Sequence, residues 1–323
     1  MRWIPGQEVL QLLTPMEAIA GVLDALEGER TKTAHGGPRR AYGSPELPLL
    51  IMPGKVPGAL GLKAITLAEG NPERGLPTIQ GLVVLFDSRD GHLVGACDGP
   101  ALTAARTAAI AGYATQLLAP PLSETMLLVG AGAQAPFQVA AVTAVRPITR
   151  VLLWNRTPAR AERLAASLAE WNGALRIETV SDLAAAAQEA DVITLVTAST
   201  EPLVCLANTK ASCHVNAMGS YQPHRREVAS DLVVNSVVFA DTMEGCREEA
   251  GDLLIPARAG ELDWSDVRPL SAADASFRSQ RTLLKSVGSA IFDLSCAQRV
   301  MGLAESGKSP SGQRPWPVLS PNQ

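Results

Sequence analysis

Two closely spaced glycines after an apolar run are the strongest chemical signal in the chain. Apolar residues 126–129 lead directly into Gly130-Ala131-Gly132, an alanine-rich stretch follows, and a second apolar run covers 151–154. A strand, a glycine turn, a helix and a strand, in this order, form the first unit of a dinucleotide-binding fold. Gly130 and Gly132 permit a tight turn beside a pyrophosphate, and the helix directs its unpaired N–H groups at that anion.

The end of the second predicted strand indicates which dinucleotide is bound. An Asp or Glu about 20 residues past the glycine turn usually binds a free ribose 2′-hydroxyl. Asn155 occupies that position here, followed by Arg156 and Thr157. An acid would repel a 2′-phosphate, whereas an arginine binds one through paired charge-assisted hydrogen bonds. These residues favour NADP(H) over NAD(H); the alternative is that Arg156 is a solvated loop residue.

Three basic residues in the N-terminal half could hold an anionic substrate. Arg39 lies in a Gly- and Pro-containing segment, Lys63 in an apolar strand and Arg106 early in a predicted helix. A buried lysine is costly unless it is paired or its ammonium group reaches water. If Lys63 is considered by itself, the preferred explanation is that its side chain extends to water from a half-exposed strand. Together the three cations would suit a carboxylate, but spacing does not show that they converge. Thr78 enters the next strand and could offer a hydroxyl to a ligand.

Residues at strand ends form a second group of candidates. Ligands of open α/β sheets bind outside the carboxyl ends of the strands. Met218, Gly219 and Ser220 follow the predicted strand 213–217 and could meet a nicotinamide or a substrate, and Thr197 ends another strand in the same way. On these residues alone, an ordinary exit from strand to loop is the preferred explanation.

Metal chemistry is not expected. The four histidines lack ligand spacing, and His214, within a predicted strand, is interpreted as a core residue. The cysteines are five in number and scattered, with neither metal-ligand nor disulfide-scaffold spacing, which favours a reducing cytoplasm.

Composition limits the classes of partner. The chain has 323 residues, 46% hydrophobic and 19% charged, with a net charge of −4. These values are typical of a soluble globular protein, and they predict neither a nucleic-acid nor a membrane partner. The N-terminal segment lacks the apolar core of a signal peptide, and no run approaches the length of a membrane span.

The hydrophobic patterns predict two domains. Residues 8–30 are helical, and residues 47–97 form short strands, of which the last two are joined by a hairpin turn at Asp90-Gly91. Strands and helices alternate after 123, and a helix over 287–303 is expected to return to the N-terminal domain. We therefore predict an α/β protein with a Rossmann-type NADP-binding domain, 120–288, and an α+β domain, 1–119 with 289–323, to which the family resemblance described below assigns substrate binding and dimerisation. The tail from Ser306 is expected to be mobile.

Taken together, these motifs resemble the ornithine cyclodeaminase/μ-crystallin family. Each is weak alone, but they follow the family order from residue 38 to about 300. The matching pieces are Pro38-Arg39, Gly61-Leu62-Lys63, Asn71 with Gly75-Leu76-Pro77-Thr78, Asp98-Gly99 with Thr103-Ala104-Ala105-Arg106-Thr107-Ala108, Gly130 to Ala135, Thr197-Ala198-Ser199, and Lys285-Ser286-Val287-Gly288.

The resemblance implies roles for particular residues. It implies a homodimer joined through the N-terminal sheet, with Arg39, Lys63 and Arg106 binding the substrate carboxylate. It places Arg106, Thr107, Gln134 and Thr197 near the cofactor. The other residues that we expect to contact the cofactor are Gly130, Gly132, Ala133, Asn155, Arg156, Thr157, Met218 and Gly288.

The chain departs from the cyclodeaminases of the family at one position. Cyclodeaminases and related alanine dehydrogenases place an Asp after the glycine equivalent to Gly219, whereas this chain has Ser220. A serine hydroxyl stays protonated near neutral pH and is a poor base. The ketimine reductases of the μ-crystallin branch look similar here and in the Asn-Arg-Thr segment.

The expected activity is therefore NADPH-dependent reduction of a cyclic ketimine. The expected substrates are Δ1-pyrroline-2-carboxylate and Δ1-piperideine-2-carboxylate, which would give proline and pipecolate. Two alternatives remain open: an ornithine or lysine cyclodeaminase or an amino-acid dehydrogenase that uses another acid, and a ligand-binding protein with little turnover.

Overall fold

The computed structural model describes residues 2–44, 46–68, 70–307 and 314–317. The chain divides into two compact units: the first contains Met1–Ala109 and Ser289–Trp316, and the second is centred on Ile110–Gly288. The break therefore lies inside a helix, ten residues before the predicted boundary at 119. The functions that the sequence assigns to the two domains remain predictions.

The helices and strands of the described residues are numbered in chain order. Helices α1 to α10 cover Gly6–Leu12, Pro15–Arg30, Gly99–Leu118, Ala135–Thr143, Pro158–Trp171, Leu183–Glu189, Ser230–Val234, Met243–Glu249, Gly251–Arg258 and Ala290–Ser306. Strands β1 to β15 cover Arg2–Ile4, His35–Gly36, Arg40–Ser44, Leu47–Val56, Ala59–Leu67, Ile79–Asp87, Leu93–Asp98, Thr125–Val129, Arg150–Trp154, Arg176–Thr179, Val192–Leu195, His214–Ala217, Val237–Ala240, Val267–Pro269 and Thr282–Lys285.

The first unit is built on a mostly antiparallel sheet. Its strand order is β1-β7-β6-β5-β4-β2, with β3 also paired to β4, and helix α10 packs against α2, β4 and β5. Helix α2 begins at Pro15, and the Thr14 hydroxyl caps it by accepting a hydrogen bond from the Glu17 backbone N–H.

Strand register places Lys63 on the face of the sheet that α10 covers. Lys63 lies opposite Met52 of β4 and Val83 of β6, and both neighbours are buried. Gly61, two residues earlier, shares this face; a Cβ there would lie only 2.7 Å from Cδ2 of Leu294 in α10. The missing side chain therefore lets α10 approach β5 closely beside Lys63.

The second unit is a doubly wound parallel sheet. Its eight strands have the order β10-β9-β8-β11-β12-β15-β13-β14 and all pair in parallel. The chain moves outward from β8 to β10, then returns to the other side of β8 with β11, which creates the switch point at which such folds bind dinucleotides. The predicted α/β class with a Rossmann-type domain is confirmed.

The hairpin between β6 and β7 forms, but its turn differs from the predicted two-residue type. That type requires a positive φ at both Asp90 and Gly91. Gly91 has a φ of 77°, whereas Lys32 is the one described non-glycine residue with a positive φ. The turn is longer than two residues: the Asp87 N–H donates to the His92 carbonyl, and within this turn the Gly91 N–H donates to the Asp87 carbonyl.

The C-terminal region differs from its prediction in two details. Helix α10 begins at Ala290, later than predicted, because Gly288 has a φ of 83° and interrupts the backbone. Most of the tail predicted to be mobile lies outside the described residues. Within it, Trp316 is 2% exposed and its indole N–H donates to the Leu13 carbonyl, so this part is packed on the first unit.

Among the described residues, no single helix is long and apolar enough to cross a membrane. Helices α1 and α2 reach that length and composition only as a pair, which is bent by 84°.

Candidate active site

Lys63 is buried and paired in the first unit. Its side chain is 2% exposed, and Nζ donates to Oδ1 of Asp293 in α10 at 3.3 Å. The alternative of a side chain that reaches water from a half-exposed strand is therefore wrong. Burial lowers the pKa of Lys63 to about 7; the Asp293 carboxylate opposes this shift, and the charges of Arg106 and Arg39 add to it.

Arg106 meets the same carboxylate oxygen as Lys63. Its Nε donates to Oδ1 of Asp293 at 2.9 Å, and the residue is 6% exposed. Two cations thus share one anion, and the positive charge of the pair is not fully neutralised. An excess of buried positive charge is a suitable receptor for a substrate carboxylate.

Arg39 belongs to the same group of charges. It precedes β3, is half-buried, and its charge contributes to the low pKa of Lys63. The three predicted basic residues therefore converge within the first unit. We call Arg39, Lys63, Arg106 and Asp293 the cationic cluster.

Two other predicted residues have different places in the first unit. Thr78 precedes β6, five residues before Val83, the partner of Lys63. Five strand residues span about 17 Å along β6, and a role for Thr78 at the substrate stays a prediction. Thr107 follows Arg106 on α3 and is partly exposed.

Asp293 is the member of the cluster that the sequence interpretation missed. It lies in the first turn of α10, among apolar neighbours, and is completely buried. Its Oδ2 has no hydrogen-bond partner in the described part of the chain. An isolated acid within an apolar helical stretch was the available signal, because such a group needs a cationic partner.

The glycine turn of the second unit fits a dinucleotide. Gly130 has a φ of 110°, and a Cβ there would lie 2.9 Å from the Val196 carbonyl oxygen, so a larger residue would be strained. A Cβ on Gly132 would meet nothing within 4 Å, which leaves open space before the N-terminus of α4. Gln134, beside Ala133, has a buried Oε1 with no hydrogen-bond partner among the described residues. Open space and an unpaired acceptor are both consistent with a ligand at this turn.

Asn155 and Arg156 have different roles at the end of β9. The Asn155 Oδ1 accepts from the Ala131 N–H at 3.1 Å and its Nδ2 donates to the Thr157 carbonyl at 2.9 Å, so this side chain ties the strand end to the glycine turn. Arg156 is exposed and makes no ion pair within the described ranges. Arg156 is therefore available to an anionic group, and Thr157 beside it is exposed.

A buried glutamate connects the ends of two neighbouring strands of the second unit. Oε1 of Glu227 accepts from the backbone N–H and the hydroxyl of Thr197 at 2.7 and 2.8 Å, after β11. Its Oε2 accepts from the Gly219 N–H at 2.8 Å, after β12, and Met218 beside it is 9% exposed. Burial raises the pKa of Glu227, while the charge of Lys285 limits the rise.

Lys285 extends this network to a third strand. It is completely buried at the end of β15, and Nζ donates to Oδ2 of Asp252 at 2.7 Å and to the Ser220 carbonyl at 2.6 Å. Oδ1 of Asp252 accepts from the Glu227 and Val228 backbone N–H groups. We call Glu227, Asp252 and Lys285 the strand-end network, and sequence reasoning missed its two acids because their partners are distant in the chain.

Ser220 is held by its own loop. It is 1% exposed, and its hydroxyl donates to the Arg225 carbonyl at 2.8 Å. A hydroxyl engaged in this way positions the loop and is not an available base. Gly288 is fixed similarly, since its backbone N–H donates to Oδ2 of Asp241 at 2.8 Å.

The histidines and acids yield one group with metal-ligand spacing. His214 is completely buried between Thr282 and Asn216, and burial lowers its pKa to about 3, so it is a neutral core residue as predicted. In the described residues, one set with ligand atoms within 4.8 Å of one another consists of Asp87, Asp90 and His92 on the β6–β7 turn. Arg89 already pairs with Asp87 there.

Comparisons with known proteins identify relatives over most of the chain. The model of the ornithine cyclodeaminase/mu-crystallin family matches residues 7–308. Ketimine reductase mu-crystallin of Rattus norvegicus is 35% identical over 250 residues, 77% of this chain and 78% of the relative. Delta(1)-pyrroline-2-carboxylate reductase of Bacillus cereus is 34% identical and covers 91% of this chain and 94% of the relative. The structure of the Thermococcus litoralis Delta(1)-pyrroline-2-carboxylate reductase in complex with NADH and L-proline superposes with a TM-score of 0.88 at 28% identity, over 97% of this chain and 100% of that one.

The strand-end network predicts a large stability loss for Lys285→Met. Both partners of the Lys285–Asp252 pair are completely buried, so removal of the cation leaves buried carboxylates uncompensated and should cost about 3–5 kcal/mol of unfolding free energy. The matched control is Lys210→Met, which removes the partly exposed pair with Asp191 and should cost at most about 1 kcal/mol. Urea unfolding measures both.

The pH dependence of the same variant tests the charge argument. Without Lys285 the pKa of Glu227 rises further, so the folded state binds a proton more readily than the unfolded state. The stability deficit should therefore be smaller at about pH 5.5 than at about pH 8. A deficit independent of pH would indicate lost packing alone.

Proposed function

The chain belongs to the ornithine cyclodeaminase/mu-crystallin family, and we propose that it is an NADPH-dependent reductase of cyclic ketimines that contain a carboxylate. The cationic cluster is the observation on which this proposal rests, because its excess positive charge suits one carboxylate in a buried setting. The proposed substrates are Δ1-pyrroline-2-carboxylate and Δ1-piperideine-2-carboxylate, and the products are L-proline and L-pipecolate. The names of the relatives support this choice of substrate.

The reaction joins a hydride and a proton to the C=N bond of the imine. A bound reduced nicotinamide would supply the hydride to the imine carbon. Lys63, Arg106 and Arg39 hold the substrate carboxylate and thereby orient the ring. The nitrogen enters protonated, as an iminium, or takes a proton from solvent, so the chain does not need a strong base at Ser220.

The placement of Ser220 supports a reductase over a cyclodeaminase. A cyclodeaminase must take a proton from the ammonium group of its substrate, which requires a general base. The Ser220 hydroxyl is committed to the Arg225 carbonyl, and Glu227 is completely buried with both carboxylate oxygens engaged. Neither group is available for that step.

NADP(H) is the proposed cofactor, with NAD(H) as the weaker one. Arg156, unpaired in the described residues and next to Asn155 in place of an acid, supports binding of a 2′-phosphate. Gly130, Gly132 and Gln134 would hold the pyrophosphate end.

A homodimer formed through the first sheet is also proposed. Successive side chains of a strand point to opposite faces of the sheet, so Leu60 and Lys63 of β5 lie on different faces. This outer face presents Trp3, Tyr42, Leu49 and Leu60, which are 49, 51, 38 and 41% exposed. A second copy of the chain would cover these apolar side chains. We place the protein in the cytoplasm because all five cysteines are free thiols.

The experiment that tests the activity compares imine reduction with ammonia release. Purified protein should oxidise NADPH with one or both cyclic imino acids and release negligible ammonia from ornithine or lysine. Ammonia release from ornithine without reduction of either imine would refute the reductase. Binding of the imino acids without turnover would identify a ligand-binding protein instead.

Arg156→Ala should remove a contact to the cofactor 2′-phosphate. A bidentate arginine–phosphate contact should supply about 1.5–3 kcal/mol, so the variant should bind NADPH at least about tenfold more weakly and NADH almost unchanged. Arg160→Ala, which removes an exposed arginine in the first turn of α5, is a control for general loss of positive charge. Fluorescence titration measures both affinities, and equal weakening of NADPH and NADH would exclude contact with the 2′-phosphate.

Lys63→Met should remove a contact to the substrate carboxylate. Loss of one charged hydrogen bond to the substrate should raise KM for the imino acid about 10–100-fold and leave KM for NADPH within about twofold. Lys210→Met, which removes a partly exposed lysine of the second unit, should change neither constant. The same cyclic imine without a carboxylate should be a poor substrate of the unaltered protein; equal reduction of both imines would exclude the proposed carboxylate contact.

The ionisation of Lys63 adds a pH signature. Lys63 binds an anion only as an ammonium, so kcat/KM should fall as the pH rises through about 7, the pKa of this lysine. That fall should be absent in Lys63→Met.

A further inference from the structure

One carboxylate oxygen orients two of the three cations in the cationic cluster. Oδ1 of Asp293 accepts from Nζ of Lys63 at 3.3 Å and from Nε of Arg106 at 2.9 Å, and all three side chains are nearly or completely buried. The two cations come from different elements, β5 and α3, while Asp293 comes from α10. The positions of Lys63 and Arg106 therefore depend on each other through Asp293.

The geometry of the Arg106 contact leaves its other donors for a ligand. A guanidinium offers five N–H groups in a planar fork, and Asp293 takes the one at Nε. The donors at the two Nη atoms point away from Nε and can bind a carboxylate bidentately. Lys63 likewise has two ammonium protons beyond the one that Asp293 accepts.

The surroundings of Asp293 are positively charged. It lies in the first turn of α10, a helix of 17 residues, where the partial positive charge of the helix terminus favours an anion. The titratable and charged groups around it are Lys63 from β5, Arg106 from α3, Arg39 before β3 and the neighbouring thiol of Cys296 on α10. Burial raises the pKa of the Cys296 thiol, so that group stays neutral.

We propose that Asp293 is the positioning residue of the substrate site: it aligns Lys63 and Arg106 on one oxygen so that their remaining donors receive the substrate carboxylate. Asp293 does not touch the substrate in this role. This inference rests on the proposed function and identifies how the same site is assembled.

Removal of the anion does not simply leave a more positive site. Asp293 is the partner that keeps Lys63 charged against burial and against its two arginine neighbours. Without it Lys63 releases its proton at a lower pH, so the cluster loses a cation together with the anion. The expected result is weaker substrate binding, because orientation is lost without a gain in charge.

Asp293→Asn tests the inference in a purified, NADPH-saturated protein. KM for the imino acid should rise about tenfold or more at neutral pH, while KM for NADPH stays within about twofold. The fall of kcat/KM should begin at a lower pH than in the unaltered protein, because the pKa of Lys63 drops. An unchanged KM, or an unchanged pH profile with lower kcat, would refute the positioning role.

A double-mutant cycle separates positioning from general structural damage. In the Lys63→Met background, Asp293→Asn should raise KM by less than about threefold, because Asp293 then has only Arg106 to align. Structural damage would produce the same fold-change in both backgrounds and would overturn the inference. Asp24→Asn in α2 is the matched control, because its carboxylate is largely exposed in a pair with Arg299, and it should leave KM unchanged.

A charge-conserving variant keeps the test decisive if Asp293→Asn does not fold. Asp293→Glu retains the anion but moves it by one methylene, so it should raise KM and keep the pH profile of the unaltered protein. A normal KM in this variant would show that the position of the carboxylate is unimportant and would refute the inference.

Direct binding separates this inference from the activity itself. Calorimetry with pyrrole-2-carboxylate, a planar cyclic carboxylate, should show binding to the unaltered protein and at least about tenfold weaker binding to Asp293→Asn. That result supports the positioning role even if no imine is reduced. Equal binding by both proteins refutes it even if the reductase activity is confirmed.

Discussion

A buried ammonium is tolerated where a carboxylate meets it, and each unit of this protein contains one such pair. Lys63 meets Asp293 in the first unit, and Lys285 meets Asp252 in the second. Desolvation of either charge alone would cost several kcal/mol, so each pair requires the helix and the strand that supply its two members to pack in one arrangement. The geometry of both candidate binding regions depends on this requirement.

The two pairs differ in how completely their charges are balanced. Around Lys285, the two carboxylates of Asp252 and Glu227 outnumber the single cation. Their attraction outweighs the effect of burial, so the pKa of Lys285 is raised. Around Lys63, one acid serves two cations and the pKa falls to about 7. The first arrangement fixes three strand ends and needs no ligand, whereas the second leaves positive charge that an anionic substrate can neutralise. The same physical constraint thus serves structure in the second unit and, in the function that we propose, binding in the first.

The Rossmann-type unit was predictable because its signals are local. All of these signals lie within 31 residues (126–156): an apolar run, a glycine turn, a helix and the Asn155-Arg156 pair. Gly130 has a positive φ, which a glycine adopts readily. The alternation of strands and helices after 123 also follows from short-range hydrophobic periodicity. The short strand β14 and the longer turn at Asp90 were missed, since their backbone conformations depend on neighbouring strands and on carbonyl partners that propensity does not encode.

The sequence by itself determined the fold class, the dinucleotide-binding turn and the identities of the three cations. Tertiary structure alone decided which charges meet. Asp293 follows Lys63 by 230 residues, and Glu227 follows Thr197 by 30, so neither contact leaves a spacing signal. The burial of Lys63, which excludes a lysine that reaches water, also depends on α10 packing over Gly61. Residue type shows that a charge needs a partner, but long-range packing selects the partner because the free energy of the pair depends on distance and desolvation.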